Sequence, residues 1–249
     1  MAERSDDRPS EPGGRNLTAE NHPHRHRDVA GGWLRPAVFG AMDGLVTNVS
    51  LIAGVGGGGG SARAITLCGL AGLAAGACSM AAGEFVSVAS QNELVDAEVR
   101  SERAELEAYP DEERRELAAT FRARGVDANL AAKVAEQISA HPEHALALHV
   151  REELGVNPLG LPSPLAAATA SLIAFALGAM IPLLPYLAGL PVLGVSLAIS
   201  AIAAIFGGGI VSRLTMRPFW YGALRQLALG AAAVAVTFGI GNLVGTTIS

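Results

Sequence analysis

The stretch AITLCGLAGLAAGACSMAAGEFVSVASQNELVDAEVRSERAELEAY, residues 64–109, decides the fold. Its first half, Ala64 to Ala89, carries a single charged side chain, Glu84. Its second half is dense in acids: Glu93, Asp96, Glu98, Glu102, Glu105 and Glu107. About 20 helical residues cross the roughly 30 Å of a bilayer's hydrocarbon, so the first half is long enough to span one. No proline or glycine lies between Ala89 and Tyr109. The spanning helix is therefore predicted to run on into water without a break.

The remainder of the chain agrees with a membrane protein. Of its 249 residues 50% are hydrophobic and only 16% charged, against about 25% charged in a typical soluble domain. The net charge of −5 averages polar segments with nearly uncharged ones. Five apolar stretches reach spanning length: Trp33 to Val55, Ala64 to Ala89, Pro164 to Tyr186, Leu190 to Val211, and Phe219 to Val244. Hydrocarbon offers the backbone no partners, so all five are read as helices. The fold class is an all-α integral membrane protein with five transmembrane helices and a short-helix cytoplasmic insert between the second and third.

The segments divide into a disordered polar tail (1–28), the first two spans (29–90), a helical metal-binding insert (91–157) and the last three spans (158–249). The tail lacks an apolar stretch and reads as neither core nor signal peptide. Gly56 to Gly60 read as a flexible turn, because no Lys-Ser/Thr follows to make a phosphate loop. Gly72-x-x-x-Gly76 allows close helix approach. Cys68 and Cys78, about 15 Å apart along a helix, are beyond disulfide reach and read as packing residues. With five spans, 17 of the 18 Lys and Arg residues fall on the side of the N-terminus and the insert; only Arg63 lies opposite. The positive-inside rule places that side in the cytoplasm and the C-terminus outside. Phe219, Trp220 and Tyr221 read as an interfacial belt.

In the insert, Pro110 suits a helix first turn, Gly125 a helix end and Asp127 a cap, while His141-Pro142 marks a break. Apolar residues are too few for a large core, so a second copy or bound metal is expected to stiffen it. Glu98, Glu102 and Glu105 share one helix face, Glu113 and Glu116 the next, and His149 and Glu153 lie at i, i+4 on the last. Carboxylates with an imidazole suit divalent first-row metals such as Fe²⁺ and Mn²⁺. The alternative is a solvated surface in which Arg100, Arg103, Arg114 and Arg115 pair with these acids. A di-iron oxidase site would need Glu-x-x-His on two helices, and only Glu-x-x-Glu occurs here.

Asp43 lies about ten residues into the first span, where a charge costs several kcal/mol and by default marks a pathway or proton site. Met80 and Glu84 sit one turn apart in the second span. Met80 reads as metal ligand or ordinary packing, and Glu84 as a relay or as the partner of Arg35 or Arg213. A carboxyl withdrawn from water keeps its proton until a cation arrives, the simplest basis for exchanging metal against protons.

The segments WLRPAVFGAMDGLVTNVSLIAGV, AGACSMAAGEFVSVASQNELVDAE and MRPFWYGALRQLALGAAAVAVTFGIGNLVG together resemble the vacuolar iron transporter family, over nearly all of residues 24–247. The resemblance implies a five-span homodimer, similar to the iron/manganese exporters of the bacterial type, that moves Fe²⁺ and often Mn²⁺ out of the cytosol against protons. It implies that Asp43 and Met80 line the path and that Glu102, Glu105, Glu113, Glu116 and Glu153 gather metal. Two positions depart from the family pattern: His149 stands where relatives often carry methionine, and Met42 where many carry a polar residue. Met42 either adds a thioether to the path or packs. His22, His24 and His26 of the tail either collect metal or form a solvated tract.

The expectation is thus a non-enzymatic exporter in a prokaryotic plasma membrane. Fe²⁺ or Mn²⁺ is its cargo, and it holds no permanently bound cofactor. Its partners are the bilayer, protons and a second copy, not nucleic acid. The rival is a membrane-anchored metal-binding, storage or sensing protein without transport.

Overall fold

The computed structural model describes residues 32–153, 155 and 160–248. The tail and its histidines, with Arg25 and Arg27, lie outside the described residues. Eight helices and no strand occur among the described residues: α1 (Leu34–Gly57), α2 (Ala62–Ala108), α3 (Pro110–Ala123), α4 (Ala128–Ser139), α5 (Pro142–Glu153), α6 (Pro164–Leu187), α7 (Leu193–Leu214) and α8 (Phe219–Ile248). Five of them, α1, α2, α6, α7 and α8, are long and apolar enough to cross a membrane. The protein is an all-α integral membrane protein.

The expected spans are all present, with shifted ends. α7 starts at Leu193 rather than Leu190, because Pro191 holds the chain out of a helix and Val192 is extended. α2 is one helix of 47 residues, started by the Ser61 hydroxyl accepting from the Ala64 amide and ended at Tyr109. At 1.5 Å per residue it is about 70 Å long, more than twice the hydrocarbon thickness.

α1 sits at the centre of the bundle and touches α2, α6, α7 and α8. Its partners match in a fixed order. Gly40 lies on Ser171 and Gly44 on Phe175, so α1 and α6 run parallel. A Cβ on Gly44 would run into the Phe175 carbonyl, and one on Gly178 into the carbonyl of Ala41. The two backbones touch because none of these residues has a side chain, which is how helices gain dispersion contact in lipid. Gly208 of α7 and Gly222 of α8 make the same kind of contact. Gly72 and Gly76 of α2 behave differently: they receive the side chains of Leu51 and Phe175 rather than a neighbouring backbone.

Buried polar groups tie the spans together. The Asn48 amide, fully buried in α1, donates to the Ala179 carbonyl of α6 at 2.6 Å. The Ser196 hydroxyl of α7 donates to the Pro182 carbonyl at 2.6 Å. Bonds of this kind between membrane helices contribute about 0.6–2 kcal/mol each.

The insert is the end of α2 with α3, α4 and α5 folded back on it. Pro110 opens α3, Gly125 closes it with φ +89°, and the Asp127 carboxylate accepts from the amides of Asn129 and Leu130 to start α4. Its core is small: Leu117, Ala131, Ala135, Ala145, Leu146 and Val150 are buried. α5 ends at Glu153, and Gly155, where its end was expected, has φ +66°.

Candidate metal centre and membrane pathway

Three helices bring the insert's acids to one imidazole. His149 on α5 is 2% exposed, and its Nδ1 lies 3.1 Å from Glu102 Oε1 of α2, 3.6 Å from Glu113 Oε2 of α3 and 3.5 Å from Glu153 Oε1. Glu102, Glu113 and His149 are all buried, and each offers a ligand atom within 4.8 Å of the others. Glu98, Ser101, Glu102, Glu105, Val150 and Glu153 line a pocket of about 80 Å³ beside them. Glu105 and Glu116 are exposed at the rim, and the Ser101 hydroxyl donates to Glu105 at 3.3 Å.

The electrostatics are those of a site short of positive charge. Burial, and then the carboxylates of Glu153, Glu113 and Glu105, push the Glu102 carboxyl up to about 7. Burial also raises Glu113; His149 offsets part of this, and Glu116, Glu105 and Glu153 add to it. The 3.1 Å approach of His149 Nδ1 to Glu102 Oε1 lacks hydrogen-bond alignment and leaves that oxygen buried without a hydrogen-bond partner; Nε2, the other ring nitrogen, is also buried without one. Such atoms are costly unless something satisfies them. Carboxylate oxygens with an imidazole nitrogen form a donor set that fits a divalent first-row cation.

The arginines do not neutralise this cluster. Arg103 clamps Glu143 through bonds of 2.7 and 3.3 Å. Arg114 pairs with Asp111 at 2.8 Å, Arg115 with Glu112 at 3.6 Å, and Arg124 with Glu152. Among the described residues no arginine pairs with Glu98, Glu102, Glu105, Glu113, Glu116 or Glu153. The arginines thus pair with other acids, away from the pocket.

In the bundle, Asp43 is half-buried and accepts a hydrogen bond from the Thr47 hydroxyl at 3.1 Å. It lies on a stripe of α1 with Phe39 (56% exposed) and Thr47 that the rest of the chain covers only in part. Met80 packs against Ala77, Phe175 and Ala179. Phe175 also receives Gly44, the neighbour of Asp43, so both residues lie near one level of α6. Glu84 is half-buried and forms no ion pair with Arg35 or Arg213. Met42 points to α7, where its Cε and Sδ pack over Gly207. Sequence reasoning missed the Arg103–Glu143 clamp, because no local pattern links residues 40 apart.

A helical membrane bundle carrying a pocket of un-neutralised acids outside its spans defines the class: an integral membrane protein with a candidate cation site. Residues 34–242 match the profile of the VIT family. The chain is 38% identical over 233 residues to "Vacuolar iron transporter" of Acanthamoeba castellanii, covering 88% of this chain and 82% of that one. It is 35% identical over 218 residues to "Vacuolar iron transporter homolog 1" of Arabidopsis thaliana, covering 86% and 84%. It is 29% identical over 230 residues to "Vacuolar iron transporter 1" of Oryza sativa subsp. japonica, covering 91% and 90%. The chain belongs to the VIT family, and that makes it a membrane transporter, not an enzyme.

Proposed function

We propose that this protein exports divalent iron, manganese or both from the cytosol in exchange for protons. The observation that carries the reading is the cluster of Glu102, Glu105, Glu113, Glu116, Glu153 and His149 that no arginine neutralises. The relatives are named as iron transporters, which supports iron as a cargo. Imidazole at position 149 suits Mn²⁺ as well as Fe²⁺. In this reading the insert faces the cytosol, gathers the ion and releases protons as it binds. Asp43 and Met80 form the translocation site, and Glu84 relays between the two.

Asp43 also supports a homodimer. A carboxylate on an only partly covered stripe of a membrane helix would face lipid at a cost of several kcal/mol. A second copy packed on the Phe39–Asp43–Thr47 stripe removes that exposure and encloses a polar path between protomers. The cargo then leaves on the side opposite the insert: the exterior for a plasma-membrane protein, or the lumen for a vacuole, the compartment in the relatives' names.

Flux of Fe²⁺ and Mn²⁺ into proteoliposomes under an imposed pH gradient tests the reading. Wild type should move metal with the gradient, Asp43→Asn should stop it, and Glu102→Ala/Glu105→Ala should weaken it. Metal binding to the insert without flux above empty liposomes, with insertion verified, would replace the exporter with a membrane-anchored binding protein.

A further inference from the structure

The turn joining α7 and α8 carries a positive charge that no described residue answers. Arg213 lies in the last turn of α7, Arg217 in the connection, and Arg225 in the second turn of α8. All three are exposed. From Gly160 to Ser249 the sequence contains no aspartate or glutamate, and among the described residues none of the three arginines has an ion-pair partner. In the insert Arg103, Arg114, Arg115 and Arg124 are matched to acids, whereas residues 160–249 offer these three arginines none.

Two of these charges flank one aromatic ring. The Arg217 guanidinium lies 5.4 Å from the centroid of the Tyr221 ring and that of Arg225 5.8 Å from the same centroid. Cations beside an aromatic face are attracted to it, and this orients both guanidiniums at the ring. The Tyr221 hydroxyl makes no hydrogen bond among the described residues and is available to donate. The turn itself is well defined. The Arg217 amide donates to the Ser212 carbonyl at 2.8 Å and the Met216 amide to Arg213 at 3.3 Å. Met216 has a φ of 58°, uncommon for a residue with a side chain, and is 95% exposed. This conformation and these two bonds are the Schellman end of α7.

The position fixes the kind of anion. The arginines stand at the ends of two membrane-spanning helices. Trp220 and Leu224, 62% and 59% exposed, form an apolar strip beside the Arg217–Tyr221–Arg225 stripe. Tryptophan and tyrosine gather at the headgroup level of a bilayer. A ligand that matches both parts has a phosphate for the guanidiniums and acyl chains for the strip. We propose that the α7–α8 turn is a binding site for an anionic phospholipid of the leaflet on the insert's side. Arg217, Arg225 and the Tyr221 hydroxyl hold its phosphate, and Trp220 and Leu224 lie along its chains.

Native mass spectrometry of the full-length protein, exchanged into mixed micelles of phosphatidylglycerol and phosphatidylcholine, tests this. Wild type should retain phosphatidylglycerol in preference. Arg217→Gln/Arg225→Gln should bind it about thirtyfold more weakly, roughly fivefold for each guanidinium lost near an anionic surface. Arg63→Gln, at the other end of the bundle, should change nothing, and Arg217→Lys/Arg225→Lys should recover much of the binding. A matching thermal unfolding midpoint for each variant establishes that it is folded. Equal retention of the two lipids, or undiminished phosphatidylglycerol on the double glutamine variant, overturns the proposal. Displacement of the lipid by millimolar inorganic phosphate overturns the lipid as the source of the anion. A change in oligomeric mass in the glutamine variant, with lipid retention unaltered, assigns the patch to a protein contact instead.

Discussion

Replacing Glu102 by glutamine should make the metal-free insert more stable at pH 8 and leave it nearly unchanged below about pH 4.5. Glu102 is held near 7 instead of 4.5 by burial and by Glu153, Glu113 and Glu105. The folded state therefore binds the proton more tightly than the unfolded chain does. Stability conferred by the protonated form is present at acid pH and is lost as pH rises from about 4.5 through 7. A displacement of that size corresponds to roughly 3 kcal/mol between protonated and charged forms. Water enters beside Glu105 and Glu153, and screening there reduces the expected figure to about 1–2 kcal/mol. Glutamine keeps the shape and removes the charge. Amide hydrogen exchange at residues 98–108 reads the local opening directly. At pH 8 the variant should exchange about 5–30-fold more slowly than wild type, the equivalent of about 1–2 kcal/mol. Comparison at a single pH cancels the intrinsic pH dependence of exchange. Saturating Mn²⁺ should slow exchange in wild type at pH 8 far more than in the variant, because the cation relieves the repulsion that glutamine has already removed. Identical exchange of the two metal-free proteins at pH 8 would refute the reasoning: Glu102 would then be an ordinary solvated carboxylate and the cluster a plain acidic surface.

Other perturbations probe the separate parts. Arg114→Ala and Arg115→Ala should leave Mn²⁺ affinity within about twofold by titration calorimetry, since these side chains pair with Asp111 and Glu112 rather than with the pocket; a tenfold gain would mean that they do compete with the metal. His149→Ala should weaken Zn²⁺ binding more than Mn²⁺ binding, because imidazole favours the later metal, and undiminished binding of both metals would remove His149 from the ligand set. Gly178→Leu should lower stability by about 3 kcal/mol or more, because any side chain there meets the Ala41 carbonyl; an unchanged thermal midpoint in detergent would mean that α1 and α6 do not pack as described. Asp43→Asn should leave metal binding to the insert intact while flux is lost, and parallel loss of both would point to misfolding instead of a blocked path.

The spans were legible because hydrocarbon imposes a length and forbids charge, and both leave plain marks on a sequence. The unbroken passage of α2 into water was legible for the same reason, since no breaker interrupts it. Pro110, Gly125 and Asp127 announced the turns of the insert through local backbone chemistry. Which glycines bring backbones together was not legible. Gly72 and Gly76 form the familiar spacing, yet they accept side chains; the close contacts belong to Gly40, Gly44 and Gly178, and that depends on how α1 is turned against α6. Spacing along each helix put the acids on common faces. That these faces meet around His149, and that Arg103 turns away to Glu143, depends on the folding of three helices onto one and has no local signature.

The unbroken α2 sets a distance that no side-chain motion can close. Met80 and Glu102 stand on one rod, 22 residues and thus about 33 Å apart. That is several Debye lengths at physiological salt, so charge captured at the pocket is screened from the membrane site through solvent. A stiff rod has no elbow with which to swing the cargo inward. An ion that leaves the pocket must cross the interval by diffusion, and the pocket then acts as a local reservoir whose value depends on how readily it lets go. Tight binding there would slow the whole cycle. Crowded, mutually repelling carboxylates, with Glu102 and Glu113 raised by their burial, suit a reservoir that fills and empties quickly.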